Sequence, residues 1–274
     1  AAELDPEVEL ARLEAASSYS SIPRDPKHWG FQLENFYGLI GRQSFDDVVL
    51  LPWLKPGGAE KYILQILEQI HAAKPRSRLL VLSGEPASRH EWTNKLPIGS
   101  VFVDVFNAFP TLSEADRDAM VARALLAVSE QNARLHIKSS VFAHRMMDRY
   151  GAVLSSQFRV VYYRFSDGTS LWQGKQFRSH WSISFLRRQL KNIDLLICDC
   201  KKIAENDMKY FGPVEGKYQT IYAQCAPHLS LETDRLVKHR LLWASRIAAE
   251  KRPELIRRIA NTLRQEFPEI VIDV

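Results

Sequence analysis

Residues 51–67 read "LPWLKPGGAEKYILQIL" and continue a short apolar run, Val48–Leu51. A run of this length that is apolar at every position is typical of a strand buried on both faces, as in a parallel sheet. Gly57 and Gly58 lack a Cβ, so the backbone there can turn tightly and approach another group closely. One apolar face at helical spacing follows, formed by Ala59, Tyr62, Ile63, Ile66, Leu67 and Ile70. The stretch therefore predicts a strand, a glycine turn and a helix, the junction at which ligands bind in open α/β sheets.

The alternation of apolar strands and helical segments continues along the chain. Further strands are predicted at Arg78–Leu82, Val101–Phe106, Leu135–Ser139, Arg159–Arg164, Leu195–Cys198 and Thr220–Tyr222. Helical patterns such as "SEADRDAMVARALLAVSEQ" and "VFAHRMMDRYG" lie between them. This order predicts a doubly wound, mainly parallel sheet, that is, a Rossmann-like α/β domain over residues 45–235. Residues 1–44 are predicted to be a helical N-terminal extension.

The strand pattern restarts near the end of the sequence. "HRLLWAS" predicts a strand, "RIAAEKRPELIRRIANTLRQEFPEI" contains a helix with Pro253 in its first turn, and "IVIDV" predicts a further strand. Residues 236–274 are therefore expected to be the start of a second Rossmann-like domain. This piece is shorter than the roughly 50 residues that a domain needs at least, so either the second domain is incomplete here or the piece completes another sheet.

Composition narrows the class of protein. The chain has 274 residues, a net charge of +5 and three cysteines. So few cysteines in a chain of this size favour free thiols and a reducing compartment, so a cytoplasmic location is predicted. No segment has the 18 or more apolar residues of a membrane-spanning helix.

The positive charge is concentrated in one segment, residues 134–191. Eleven Lys and Arg residues there face two Asp residues, which gives the segment a net charge of +9 and leaves −4 for the remainder. Such a concentration indicates a polyanionic partner, or a solvated basic face. Phe177, Trp181 and Phe185 alternate there with arginines, and this stretch could rest on an anionic membrane surface or cover the core.

Two segments, in this order, resemble the half-signatures of the retaining glycosyltransferases of family 4, which have the GT-B fold. The first is "PGGAEKYILQIL" after the first strand, and the second is "LLWASRIAAEKRPELIRRIANTL" after the restart. Arg246 and Lys251 match the Arg and Lys of the family's second element, whereas Ser245 stands where the family usually has Gly. The resemblance implies transfer of a sugar from a nucleotide-sugar donor to a glycan or lipid-linked acceptor with retention, without a metal or other cofactor.

The resemblance also implies roles for particular residues. A departing nucleoside diphosphate gains negative charge, which fixed cations and backbone N–H groups stabilise. The residues expected to bind the donor phosphates are Arg246, Lys251, Gly57 and Gly58. His136 is the candidate catalytic residue, or a buried histidine satisfied by hydrogen bonds. The residues expected on the acceptor side are Ser139, Ser140, Arg187 and Arg188. Glu85 is expected to cap a helix or serve a loop, and Asp104 to be a central polar residue or to point outward from an edge strand.

Three functions compete at this point. The leading one is a glycosyltransferase of bacterial-type surface polysaccharide or glycolipid synthesis, peripheral at the inner face of the membrane. The alternative is a catalytically inactive GT-B-like domain that binds a glycan or a protein partner within a larger protein. A nucleic-acid-binding role is not expected, since the sequence lacks a recognisable motif for it. The family's acidic pair for the donor sugar would lie beyond Val274, so this part alone is expected to be an acceptor-side domain.

Overall fold

A computed structural model describes most of the chain. The described residues are 29–166, 168–173, 175–178, 181–212, 214, 216–224, 240–243 and 253–273. They fall into two compact units, which are divided after residue 224.

Seven parallel strands form the central sheet of the first unit. They are β1 (Phe45–Leu51), β2 (Leu79–Ser83), β3 (Val101–Asp104), β4 (Ser129–Lys138), β5 (Arg159–Arg164), β8 (Leu195–Cys198) and β9 (Tyr218–Thr220). Their spatial order is β3-β2-β1-β4-β5-β8-β9, and every neighbouring pair is parallel. An antiparallel hairpin of β6 (Thr169–Trp172) and β7 (Lys175–Arg178) follows β5. The parallel α/β sheet predicted from the sequence is confirmed.

Helices cover both faces of this sheet. They are α1 (Trp29–Ile40), α2 (Gly58–Ala73), α3 (Val105–Ala108), α4 (Glu114–Val128), α5 (Val141–Gln157), α6 (Trp181–Gln189) and α7 (Lys201–Phe211). One hydrophobic cluster joins α1, α4, α5 and α6 to one face of the sheet, and a second joins α2 to the opposite face. Successive residues of β1 alternate between the two clusters, with Val48 in the first and Val49 in the second. Burial on both faces explains why β1 is apolar at every position from Val48 to Leu51.

Several element bounds differ from the sequence prediction. β3 ends at Asp104, because the Asp104 carboxylate accepts the backbone N–H of Asn107 at 3.1 Å and begins α3. β4 begins at Ser129, six residues before the predicted start, where it pairs with Phe45 of β1. The last strand of the sheet is Tyr218–Thr220 rather than Thr220–Tyr222, and the β6–β7 hairpin was not predicted.

The predicted N-terminal extension lies partly within the described residues. α1 packs into the main core, where Phe36 and Ile40 are fully buried. The ring centroid of Phe36 lies 6.0 Å from that of Phe109. This helix is therefore part of the packing of the first unit, and residues 1–28 lie outside the described residues.

The second unit has the predicted order of strand, helix and strand. Its elements are β10 (Arg240–Leu242), α8 (Glu254–Glu266) and β11 (Val271–Asp273). β10 and β11 pair in parallel in a sheet of their own and do not extend the seven-stranded sheet. A parallel strand–helix–strand arrangement thus occurs in each unit.

Gly84, at the end of β2, provides a test of the packing between sheet and helix. A Cβ built there would lie 2.2 Å from the ring of Phe142 in α5, so the strand end and the helix approach too closely for any side chain. We expect Gly84→Ala to lower the free energy of unfolding by about 1–3 kcal/mol through overpacking. Gly38→Ala in α1 is the matched control, because a Cβ there has nothing within 4 Å. It should raise the free energy of unfolding by about 0.5–1 kcal/mol. Urea melts measure both, and equal effects of the two substitutions would contradict this packing.

Candidate ligand site at the switch point of the sheet

The order of the strands reverses between β1 and β4. These strands are neighbours, yet the chain leaves β1 toward β2 on one side and leaves β4 toward β5 on the other. A crevice forms outside the carboxyl ends of the strands at such a switch point, and ligands of open α/β sheets bind there. Two loops border it, residues 52–57 after β1 and residues 139–140 after β4. The predicted site residues Gly57, Ser139 and Ser140 therefore lie in the two loops at this edge of the sheet, and Gly58 is the first residue of α2, directly after the first loop.

Gly57 is the N-cap of α2, and its missing side chain accommodates a carboxylate of the same helix. A Cβ on Gly57 would lie 2.3 Å from Oε2 of Glu60, whereas a Cβ on Gly58 would have nothing within 4 Å. Glu60 is buried in the first turn of α2, where a carboxylate interacts favourably with the helix dipole. An anion approaching this helix end would thus meet the charge of Glu60. The donor-phosphate role of Gly57 and Gly58 stays a prediction.

Lys138, the last residue of β4, connects the carboxyl end of this strand to the first turn of α2. Its Nζ donates to Oε1 of Glu60, and both side chains are largely buried. The same Nζ lies 5.9 Å from the ring centroid of Trp53, in the loop after β1. Lys138 and Glu60 were not among the predicted site residues, although Lys138 was counted in the basic segment. Their contact joins the β1–α2 junction to the end of β4 by a charge-assisted hydrogen bond.

The two serines after β4 are held by α5. Ser140 is the N-cap of α5, and its Oγ accepts the backbone N–H of Ala143 at 3.1 Å. Ser139 Oγ lies 3.3 Å from Nε2 of His144, which also lies 3.0 Å from the hydroxyl of Tyr162. The carboxylate of Glu85 accepts the N–H of Phe142 at 3.2 Å, so the predicted capping role of Glu85 is confirmed.

His136 lies in a chain of buried polar side chains beneath α2. Its Nε2 is 2.8 Å from Oδ1 of Asp47, and its Nδ1 is 2.9 Å from the hydroxyl of Tyr163. Arg134 donates from Nε and Nη2 to the two oxygens of Asp47, at 2.6 and 2.7 Å. The side chain of His136 is 2% exposed. A direct catalytic role for His136 would require one of these two hydrogen bonds to be released.

The protonation of this chain follows from its surroundings. Burial raises the pKa of Asp47, but hydrogen bonds from His136 and Arg134 outweigh burial and hold that pKa below its ordinary value. An ionised Asp47 accepts hydrogen bonds only, so Nε2 of His136 carries a proton and donates. Burial raises the pKa of Tyr163, so its hydroxyl stays protonated and can donate to Nδ1 of His136. With these directions, both ring nitrogens of His136 have a hydrogen-bond partner.

Most of the basic segment is paired within the protein. Among the described residues, seven of its eleven cations lie within salt-bridge distance of a carboxylate: Arg134 (Asp47), Lys138 (Glu60), Arg145 (Glu114 and Asp118), Arg149 (Asp118), Arg164 (Asp207), Arg178 (Asp207) and Arg188 (Asp148). Five of these six carboxylates lie outside the segment. The sixth, Asp148 of α5, pairs with Arg188 of a different helix, α6. The segment is therefore far less positive as a surface than its sequence indicates.

Arg187 and Arg188 lie apart from the serines that were predicted with them. Arg188 forms two hydrogen bonds with Asp148, at 3.1 and 2.7 Å, and the guanidinium of Arg187 lies 5.0 Å from the ring centroid of Tyr210. Asp148 is eight residues beyond Ser140 in α5, which is about 12 Å along the helix axis at 1.5 Å per residue. The structure thus does not bring the four predicted acceptor-side residues into one cluster. In the aromatic stretch, Phe185 is fully buried in the core, whereas Phe177 and Trp181 are 43% exposed.

Arg246 and Lys251 lie outside the described residues. Within the described part of the chain, no group of three His, Cys, Asp or Glu side chains could hold a metal ion. None of the described helices combines the length and the apolar character needed to cross a membrane.

Four cavities among the described residues lie away from the switch point. One, of about 330 Å³, runs along α2 beside residues 221–224, and another, of about 730 Å³, lies at the amino edge of the sheet near the starts of β4 and β5. We favour the switch point because polar side chains of β4, of α2 and of the connection after β2 lie there beside two helix N-termini.

Neither the protein-family models nor the curated proteins contain a match to this chain. The functional proposal therefore depends on the fold, the crevice and the two sequence segments.

Replacement of Asp47 tests the buried chain of polar groups. We expect Asp47→Asn to lower the free energy of unfolding at neutral pH by roughly 3 kcal/mol, because Arg134 loses a buried partner. The lowered pKa of Asp47 stabilises the fold above its unfolded value of about 3.9, and this contribution is lost as the pH falls through the folded value. The acid loss of stability should therefore be smaller in Asp47→Asn than in the unmodified protein.

Asp148→Asn is the matched control for this experiment. It breaks the more exposed pair with Arg188, which is expected to contribute only about 0–1 kcal/mol. Denaturant melts between acid and neutral pH measure both variants. A loss from Asp47→Asn no larger than that from Asp148→Asn would contradict the account of the buried chain.

Proposed function

We propose that the protein is a retaining glycosyltransferase of the GT-B type, which moves a sugar from a nucleotide-sugar donor to a glycan or lipid-linked acceptor. The observation that carries this proposal is the presence of two separate units, each with parallel strands joined by a helix. The seven-stranded sheet supplies a switch-point crevice for one substrate, and the second unit begins with the elements expected to carry the donor site.

The chemistry of the departing diphosphate gives Arg246 and Lys251 their proposed roles. Negative charge grows on the leaving phosphate as the glycosidic bond breaks, and cations held in place stabilise that charge. Arg246 offers a bidentate fork to two oxygens, whereas Lys251 acts as a point charge. Both follow the apolar segment that contains β10 and precede α8. No metal or further cofactor is part of this proposal.

The proposed acceptor side is the crevice between β1 and β4. Trp53 offers an aromatic surface, and Lys138, Glu60, Ser139 and Glu85 offer polar groups to the hydroxyls of a sugar. Such a mixture of one apolar surface and a few placed polar groups is usual in small-molecule sites. Nucleic acid is not among the proposed partners.

One observation favours the alternative, an inactive domain that binds a glycan or a protein partner. Glu60 lies over the first turn of α2, where the glycosyltransferase proposal expects phosphate oxygens. A carboxylate there repels an anion but accepts hydrogen bonds from a neutral sugar. Binding without transfer would distinguish this alternative from the leading proposal.

Lys251→Ala tests the transferase proposal. The assay is sugar transfer from a panel of nucleotide sugars to glycan and lipid-linked acceptors, with thermal melts alongside. If Lys251 stabilises the departing diphosphate, turnover should fall about 10²–10³-fold while the melting temperature stays the same. Lys191→Ala, which removes an exposed cation from the first unit, is the control and should keep its turnover. Turnover of Lys251→Ala equal to that of the control would remove this residue from the mechanism.

A peripheral position at the inner face of the membrane belongs to the same proposal. Arg187 is exposed, at the end of α6, and Trp181 lies at the start of that helix. We expect Arg187→Glu to weaken binding to anionic vesicles, and the difference should shrink as salt screens exposed charges over about 8 Å at physiological ionic strength.

Arg159→Glu is the matched control, since it changes the net charge equally at an exposed position at the start of β5. Vesicle flotation measures both variants. Equal binding by Arg187→Glu and Arg159→Glu would show that α6 is not the contact surface.

A further inference from the structure

The loop between β1 and α2 carries Trp53 and Gly57 into the proposed crevice, and it is held by a neighbouring connection. We infer that His90, between β2 and β3, is the positioning residue of this loop. The inference concerns the geometry of the loop, and its effect on turnover rests on the proposed function. No sequence pattern indicated His90.

Both backbone groups of Leu54 bond to the segment that contains His90. The N–H of Leu54 donates to Nδ1 of His90 at 3.0 Å, and the carbonyl of Leu54 accepts the N–H of Trp92 at 3.3 Å. The side chain of Leu54 is fully buried. Pro52 and Pro56 have no N–H to donate, which leaves the loop fewer backbone bonds with which to hold itself. The carbonyl of Pro52 also accepts the N–H of Glu85 at 3.2 Å, so the start of the loop is held there, and Leu54 attaches its middle through both backbone groups.

The ring of His90 is itself held on its other side. Its Nε2 lies 2.8 Å from Oδ2 of Asp104, whose carboxylate also accepts the amide of Asn107 at 2.7 Å. The ring centroid of Phe102 lies 4.9 Å from that of His90. The His90 side chain is 7% exposed. Asp104 thus orients the imidazole that holds Leu54. The sequence had indicated only a central polar residue or an outward-pointing side chain on an edge strand.

The hydrogen bonds assign the protons of His90. A backbone N–H can only donate, so Nδ1 must be unprotonated to accept from Leu54. Nε2 then carries the proton and donates to Asp104. Since both nitrogens are engaged within the protein, His90 has no nitrogen left for a substrate. Its contribution is to position the loop rather than to transfer a proton.

Loss of the bond at Nδ1 should release the loop. The buried N–H of Leu54 would be left without an acceptor, and a conformation that hydrates this group would become more favourable. Trp53 and Gly57 lie within three residues of Leu54, so both would shift with it. A displacement of about 1 Å between a positioning group and the reacting centre can lower a rate about 10²-fold.

Two substitutions separate positioning from general stability. The Oδ1 of the variant His90→Asn stands near the place of Nδ1 and can still accept from Leu54, although the bond to Asp104 is lost. The Nε2 of the variant His90→Gln stands near the place of the ring Nε2 and can still donate to Asp104, although the acceptor for Leu54 is lost. Each variant loses one hydrogen bond, so we expect similar melting temperatures for the two.

The first measurement is hydrogen exchange at the backbone amide of Leu54, with peptides of α4 as the internal reference. We expect His90→Gln to speed this exchange about tenfold, as loss of one hydrogen bond implies, and His90→Asn to leave it close to the unmodified protein. Asp194→Ala is the stability control, because it removes the acceptor of the Val160 N–H at the amino edge of the sheet. It should leave the exchange rate of the Leu54 amide unchanged. Equal exchange of Leu54 in His90→Gln and His90→Asn would overturn the inference.

The second measurement is steady-state transfer by the same variants. We expect kcat to fall 10- to 100-fold in His90→Gln and to be restored in large part in His90→Asn. Fast exchange in His90→Gln with unchanged kcat and KM would overturn the positioning role. Absence of transfer by the unmodified protein, with the exchange pattern as expected, would instead overturn the proposed function and leave the attachment of the loop in place.

Discussion

The carboxylate of Asp47 lies between β1 and β4 at the centre of the sheet, and it is 1% exposed. A charge so buried is tolerated only when it is paired and hydrogen-bonded, and Arg134 and His136 of β4 supply both. A shift of β4 by one residue would turn these side chains to the opposite face of the sheet, so their contacts help to fix its register against β1. That register sets where the two strands end, and with it the places of Gly57 and Ser139. The geometry of the crevice thus depends on a buried ion pair that lies toward the amino ends of the two strands, with Asp47 four residues before the end of β1.

The requirement that a buried charge be paired also explains why most cations of the basic segment form ion pairs within the protein. Asp118 and Asp207 are fully buried, and each is paired with two arginines. Asp207 joins Arg164 of the sheet to Arg178 of the hairpin, which anchors the hairpin beside α7. The charge excess of residues 134–191 therefore serves the internal connections of the fold to a large extent. A polyanionic partner would meet the remaining exposed cations, such as Arg187, rather than a continuous basic surface.

The sequence was sufficient to predict the strands that are buried on both faces, because an apolar run such as Val48–Leu51 has few other uses. It also placed Gly57 in the turn after β1 and Ser139 at the carboxyl end of β4. Parallel topology brings these two connections to the same edge of the sheet. The hairpin after β5 was missed because its short strands, "TSLW" and "KQFR", have no apolar run comparable to Val48–Leu51. Glu60, Asp47 and His90 were missed as parts of the site because their roles depend on partners 14 to 89 residues away. Such contacts exist only after the sheet has formed, and local periodicity carries no signal for them.

The central claim is that the crevice between β1 and β4 is the place where substrate binds. A crystal structure of the protein with a nucleotide sugar and a glycan acceptor tests this claim most directly. The account predicts ligand atoms within about 4 Å of Trp53 or Gly58 on one side and of Ser139 or Val141 on the other. Ligand bound instead in the polar cavity at the amino edge of the sheet, with the crevice empty, would contradict it.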